Sequence, residues 1–331
     1  MKPPATLVLA AQDVRRLLGL DECIAAVEAA FRLHGEGKTA APGVLGVHLK
    51  DGGFHIKAGA LDLTRTYFAA KVNGNFPGNG NRFGLPTIQG IIVLADGETG
   101  CPLAVMDSVE ITALRTAAAT AVAAKYLVRK NSTAAAICGC GVQGGYQLRA
   151  LSRVLTLKKA YLFDLDHQKA TQLAQQLIRD LGIEVIPVKD FGAAVRQSDV
   201  VVTCTTSRQY FLTRAHVSPG TFVAAVGADN PEKQEIEPEL MAASKVVADI
   251  LAQCVAMGDL HHAVRAGLVN TKDVHAELGE VVSGRKVGRT SEEEIVVFDS
   301  TGMALQDVAA AAVVYEKAVA EKAGLAMDFA A

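Results

Sequence analysis

Tryptophan is absent from the 331 residues, aromatic side chains make up 5% of them, and charged residues only 21%. A chain that is half hydrophobic and this poor in charge folds rather than staying disordered, and its length suits two domains or one domain inserted in another. No block of one sign occurs: 33 Lys and Arg and 35 Asp and Glu are dispersed to a formal charge of −2. Phosphate neutralisation needs clustered cations, so nucleic acid is not expected as a partner. No apolar run approaches the roughly 20 residues that cross a bilayer. The opening "MKPPATLVLAAQDVRRLLGL" lacks a signal-peptide core and reads as a strand and then a helix. The expectation is a cytoplasmic protein with no membrane partner. The six cysteines have no zinc-like spacing, which implies reduced thiols and no metal.

What is present changes character along the chain. Residues 20–38 form a helix with Ile24, Val27, Ala30 and Phe31 on one face and Gly35 as its stop. Strands are expected at 44–49, 53–57, 67–73 and 88–95, arranged as a meander or small barrel. An alanine-crowded helix follows at 111–130. From 133 onward, "TAAAIC", "KAYLF", "EVIPV", "DVVVTC", "TFVAAV", "KVVADI" and "EIVVFDS" are short and apolar on both faces, and helical stretches separate several of them. That alternation predicts a parallel sheet covered on both sides. The last helix, 302–324, is expected to return to the N-terminal domain, which makes the α/β unit an insertion.

"AAAICGCGVQGGYQL" holds Gly139, Gly141 and Gly144 in G-x-G-x-x-G order, directly after an apolar strand and opening a helix through Val142 and Gln143. The first glycine makes the turn, the second lets a pyrophosphate approach, and the third allows helix–strand packing. Twenty positions after Gly144, Asp164 ends the next strand, where a carboxylate accepts from ribose hydroxyls and repels a 2′-phosphate. NAD(H) is therefore expected in preference to NADP(H), which Arg149, Arg153 or His167 would favour if they lie nearby.

The blocks "FAAKVNGNFPGNGNRFGLPTIQG", "ITALRTAAATA", "VGADNPEKQEIEPEL" and "FDSTGMALQDVAAA" resemble the ornithine cyclodeaminase/mu-crystallin family over nearly the whole chain. The resemblance implies a Rossmann-type doubly wound sheet, residues 126–302, inserted in an α+β substrate-binding and dimerisation domain formed by both chain ends, 1–125 and 303–331. It implies a homodimer that acts on small amino or imino acids. Carried over by motif, Lys71 and Arg115 hold the substrate carboxylate and Asp229 assists proton transfer near the reacting nitrogen. By position, Thr205, after the fourth strand of the α/β unit, is expected at the nicotinamide ribose, and Ser300, at the start of the last helix, is expected to touch the cofactor.

The residues themselves leave alternatives. Arg115 is the only charge between Glu110 and Lys125, so it needs an anion, either a substrate carboxylate or a structural salt-bridge partner. Lys71 shares a strand face with Tyr67, Ala69 and Asn73, a face polar enough to line a pocket, while Phe68, Ala70 and Val72 make the opposite face core-like; a snorkelling surface lysine is the other reading. Asp229, Ser300 and Thr301 also read as turn or helix-cap residues, and Lys233 and Glu235 as loop solubilisers or as a pair that anchors the loop.

One departure from the family pattern bears on substrate. Where ornithine cyclodeaminases carry an acid for the distal amine stands His55, and no Asp or Glu occurs between Asp51 and Asp62. A frequent upstream arginine is also missing, and Lys57 replaces an apolar residue. A pocket that loses a carboxylate and gains a cation disfavours ornithine and prefers a neutral or anionic substrate. The expected function is NAD(H)-dependent reduction of a small 2-imino acid, with ammonia as a possible co-substrate. The alternatives are a cyclodeaminase using catalytic NAD+ and a non-catalytic ligand-binding protein.

Overall fold

The computed structural model describes residues 5–329. The chain divides into two compact units, Met1–Arg115 with Met303–Ala331, and Thr116–Gly302. The first begins with β1 (Thr6–Leu9), α1 (Ala11–Leu17), α2 (Leu20–Gly35), β2 (Gly43–Leu49), β3 (Gly52–Asp62), β4 (Thr66–Asn75), α3 (Asn79–Phe83), β5 (Ile88–Asp96), β6 (Pro102–Asp107) and the start of α4 (Ser108–Leu127). After α4 come β7 (Ala134–Cys138), α5 (Val142–Val154), β8 (Lys159–Phe163), α6 (His167–Leu181), β9 (Glu184–Pro187), α7 (Phe191–Arg196), β10 (Val200–Thr203), β11 (Arg208–Leu212) and β12 (Phe222–Ala225). The second unit continues through β13 (Gln234–Ile236), α8 (Pro238–Ala242), β14 (Lys245–Ala248), α9 (Leu251–Met257), α10 (Asp259–Arg265), β15 (Ala276–Glu277), α11 (Leu278–Val282) and β16 (Val296–Asp299). The chain then returns to the first unit with α12 (Ala304–Glu321) and β17 (Leu325–Met327).

The first unit is an open sheet in the order β17-β1-β6-β5-β4-β3-β2, so the meander forms and the barrel does not. Only β1 and β6 pair in parallel. Helix α2 starts where Glu22 accepts the Gly19 N–H at 3.0 Å, and its Cys23, Ile24, Val27, Ala30 and Phe31 are buried. α12 packs against α2 and against β3 and β4. A Cβ at Gly59 would lie 2.9 Å from the Leu305 side chain, so the glycine lets helix and sheet approach closely.

That packing reverses one expectation. Tyr67, Ala69 and Lys71 are buried, whereas Phe68 is exposed and Ala70 and Val72 are partly so. The core-facing side of β4 is the one that carries the lysine. Its partners across the sheet are Leu61, Gly59 and Lys57 of β3, with Leu94 and Ile92 of β5, so an apolar floor ends at two cations. Each large aliphatic side chain buried in that floor contributes about 1.5–3 kcal/mol.

The second unit is an eight-stranded, all-parallel sheet in the order β15-β14-β16-β12-β10-β7-β8-β9. β7, β10, β12 and β16 are buried at every position, as central strands covered on both faces must be. From β7 the chain order runs outward through β8 and β9 on one side and from β10 to β12 on the other, with β16 between β12 and β14, and the reversal at β7 and β10 opens a crevice beyond the strands' C-terminal ends. A separate parallel pair, β11 and β13, was not legible in the sequence. No helix among the described residues is long and apolar enough to cross a membrane.

Candidate active site

Lys71, Arg115 and Asp307 meet inside the first unit. They are 3%, 5% and 1% exposed, so all three charges are desolvated. Lys71 Nζ lies 2.9 Å from Asp307 Oδ1 and 2.8 Å from Oδ2, and Arg115 Nε donates to Oδ1 at 3.0 Å. Arg115 Nη1 donates to Gln306 Oε1 at 3.0 Å, and Thr112 Oγ1 is 3.4 Å from Lys71 Nζ. Removing one partner from a buried pair of this kind costs about 3–5 kcal/mol, because the remaining charge has no water to return to. Lys71 is thus no snorkelling surface lysine, and Arg115 has a protein anion of its own. Asp307 escaped the sequence reading, yet a signal existed: it is the only charge between Asp299 and Glu316, as Arg115 is between Glu110 and Lys125.

Burial pulls the Lys71 ammonium down to about 7; Arg115 and Lys57 push the same way, and Asp307 opposes them. Burial alone would raise the Asp307 carboxyl, but Lys71 and Arg115 together hold it below the usual carboxylate range. Lys57, buried at 9% exposure, pairs directly with Lys71 across β3 and β4. His55 is half-buried on the same face, opposite Asn73, whose Oδ1 accepts from Ser108 Oγ at 2.6 Å.

In the second unit the glycine loop has the geometry its spacing predicts. Gly139 sits at φ +104°, where a Cβ would lie 2.7 Å from the Cys204 carbonyl oxygen. A Cβ at Gly144 would fall 2.2 Å from the Gly139 carbonyl oxygen, whereas one at Gly141 meets nothing within 4 Å. Gly141 caps α5, Val142 is exposed at its first turn, and Gln143 accepts from Gln147 Nε2 at 3.2 Å. Asp164 reaches back from β8 and accepts the N–H of Cys140 at 2.8 Å and of Asp166 at 2.9 Å. A cavity of about 670 Å³ is lined by Gly139, Gly141, Asp164, Thr205, Phe191 and Tyr210 among others. Open space at Gly141, a helix N-terminus and a carboxylate at the ribose position together suit a dinucleotide.

A chain of buried acids ties down the loops at this end of the sheet. Glu235, far from being a loop solubiliser, is fully buried and accepts the N–H of Thr205 at 2.6 Å and of Gly227 at 2.9 Å. Asp259 accepts the N–H of Glu235 at 2.7 Å and of Ile236 at 2.9 Å, and Asp299 accepts those of Asp259 and Leu260 at 3.3 and 2.9 Å. Burial raises all three carboxyls, that of Asp299 to about 7, against the pull of the backbone donors. The first of these links joins the loop after β10 to the loop after β12.

Asp229 lies on the latter loop with its side chain half exposed, its Oδ1 2.7 Å from Lys233 Nζ. The turn there is made by Asn230, whose Oδ1 accepts the N–H groups of Glu232 and Lys233, so Asp229 is not the turn residue. Ser300 and Thr301 do not cap α12 either; its cap is Met303. The Thr301 hydroxyl donates to Asp249 at 3.0 Å, while the Ser300 hydroxyl is buried without a hydrogen-bond partner among the described residues. The Cys23 and Cys140 thiols are poor nucleophiles, since burial pushes both up to about 12.

Comparison with known proteins agrees with this architecture. The chain is 40% identical to an alanine dehydrogenase of Archaeoglobus fulgidus over 326 residues, 98% of each protein. The structure of an archaeal alanine dehydrogenase dimer with bound NAD, 41% identical, matches 98% of this chain and 99% of its own with a TM-score of 0.93. The iminosuccinate reductase of Paracoccus denitrificans in complex with NAD+, 31% identical, matches 98% of this chain and all of its own with a TM-score of 0.90. The family model of ornithine cyclodeaminase and mu-crystallin matches residues 5–322, and the chain belongs to that family.

Proposed function

We propose that this NAD-dependent oxidoreductase reduces a small 2-imino acid to the amino acid, with ammonia as co-substrate where the imine forms from a linear 2-keto acid. The observation that carries the reading is the buried pair of Lys71 and Arg115, two cations sharing the single carboxylate of Asp307. One positive charge is left over, and a substrate carboxylate neutralises it. Gly139, Gly141, Val142, Gln143 and Gly144 would hold the cofactor pyrophosphate, Asp164 the adenosine ribose, and Thr205 and Ser300 the nicotinamide end. Bound NADH supplies the hydride to the carbon of the C=N bond.

The chain's own groups do the rest. Arg115 and Lys71 fix the carboxylate and so orient the imine carbon. Asp229 assists proton transfer near the reacting nitrogen: its carboxylate, held by Lys233, stabilises the imine in the protonated form that accepts hydride, with water as the source of the proton. Lys57, beside Lys71 on the same sheet face, adds a cation that suits a second carboxylate on the substrate, as in iminosuccinate, with His55 next to it. We also propose a homodimer, because Val44, Leu45, Val47 and Leu49 leave the edge strand β2 apolar and exposed.

A cyclodeaminase reading is disfavoured by charge. It needs an acid for a distal ammonium, and the two nearest in sequence are spent elsewhere: Asp51 pairs with Arg82 at 2.7 Å and Asp62 accepts from Thr66 Oγ1 at 2.5 Å. The test follows NADH absorbance with ammonia and pyruvate, oxaloacetate or glyoxylate, with a preformed cyclic imine, and with ornithine and NAD+. Steady NADH oxidation with a linear keto acid is expected, fastest with oxaloacetate. Proline and ammonia from ornithine without net NADH change would establish the cyclodeaminase instead.

A further inference from the structure

In the carboxylate clamp just described, the two cations come from different elements, Lys71 from β4 and Arg115 from α4, and a third element, α12, supplies what joins them. Asp307 touches both, and its neighbour Gln306 takes a second N–H of the Arg115 guanidinium. A planar fork held at two of its nitrogens cannot rotate freely, so its remaining edge has a fixed direction. Gly59 admits α12 to close contact with β3, which seats this pair of side chains against the sheet.

We propose that Asp307 is the positioning residue of the substrate clamp: it fixes Lys71 and Arg115 in one geometry and keeps Lys71 in the ammonium form that an arriving carboxylate requires. The proposal rests on the reading of Lys71 and Arg115 as that clamp. The groups that face Lys71 decide its charge. Lys57 on β3 and Arg115 on α4 disfavour the ammonium, Thr112 on α4 is neutral, and Ile92 on β5 is apolar. Cys23 on α2 is a neutral thiol at working pH, its proton held by burial. Asp307 is the anion among them, so without its charge Lys71 loses its proton at a lower pH still.

The experiment compares Asp307→Asn with the wild-type holoenzyme. The alkaline limb of kcat/KM moves to lower pH, and KM for the imino acid at neutral pH rises by about 10–100-fold, the loss of a charge-assisted contact. NADH affinity, measured by fluorescence, stays unchanged. A wild-type pH profile and KM in Asp307→Asn would overturn the proposal. If that variant fails to fold, Asp307→Glu decides: it retains the charge but displaces it by a methylene, so the limb stays and KM rises, and an unchanged KM is contrary. Titration of Lys71 itself, by NMR of carbon-labelled lysine, separates this inference from the functional reading. A lowered Lys71 titration in Asp307→Asn supports the role of Asp307 even if no imino acid turns over, and an unmoved titration refutes it.

Discussion

Lys57 and Lys71 face one another across neighbouring strands, an arrangement that is destabilising for like charges. Lys57→Met is therefore predicted to raise the melting temperature while lowering kcat/KM for a dicarboxylic substrate by roughly 10–100-fold, with a monocarboxylic one changed by less than about threefold. Thermal melts and substrate pairs check this; equal losses on both substrates would deny Lys57 a role in specificity. At this scale the sequence was half legible. Isolated charge in apolar surroundings marked Lys71 and Arg115, and the same signal at Asp307 went unread because an acid in the first turn of a helix reads as ordinary dipole stabilisation. Glu235 stayed open between solubiliser and loop anchor because the sequence around it is rich in Asn, Pro, Glu and Lys, and only the fold buries it under two backbone donors.

Among the elements, the glycine loop was the most legible, because each glycine answers to a separate steric demand. That separation yields a paired prediction. Gly141→Ala has room for its methyl in the folded chain, so its melting temperature should match wild type while NADH affinity falls by about 10–100-fold, the cofactor losing its close approach. Gly144→Ala places the methyl against the Gly139 carbonyl oxygen, so stability and NADH binding fall together. Melting curves and fluorescence titrations distinguish the two, and a Gly141→Ala variant that binds NADH normally would remove the loop from the cofactor site. Less legible were β6, β11, β13 and β17. The last two are three residues each, too short to show alternation, and their pairing depends on partners distant in sequence. The faces of β4 were assigned backwards because Phe68 is the larger apolar side chain, whereas burial follows where α12 lies.

Over the whole molecule, the parallel α/β unit was readable from strands apolar on both faces that alternate with helices, whereas the return of the last helix to the first sheet rested on the family resemblance. Each unit then carries one half of the proposed chemistry: a buried cationic clamp for a carboxylate in the first, and a loop, carboxylate and cavity suited to a dinucleotide in the second. The claim that joins them is hydride transfer to the carbon of a C=N bond. It is tested most directly with NADH carrying deuterium at its transferable position, together with ammonia and a linear keto acid, reading the amino acid product by mass spectrometry. Deuterium is expected on the α-carbon, one per NADH consumed. An unlabelled amino acid, or label absent while ornithine is converted to proline and ammonia, would contradict it.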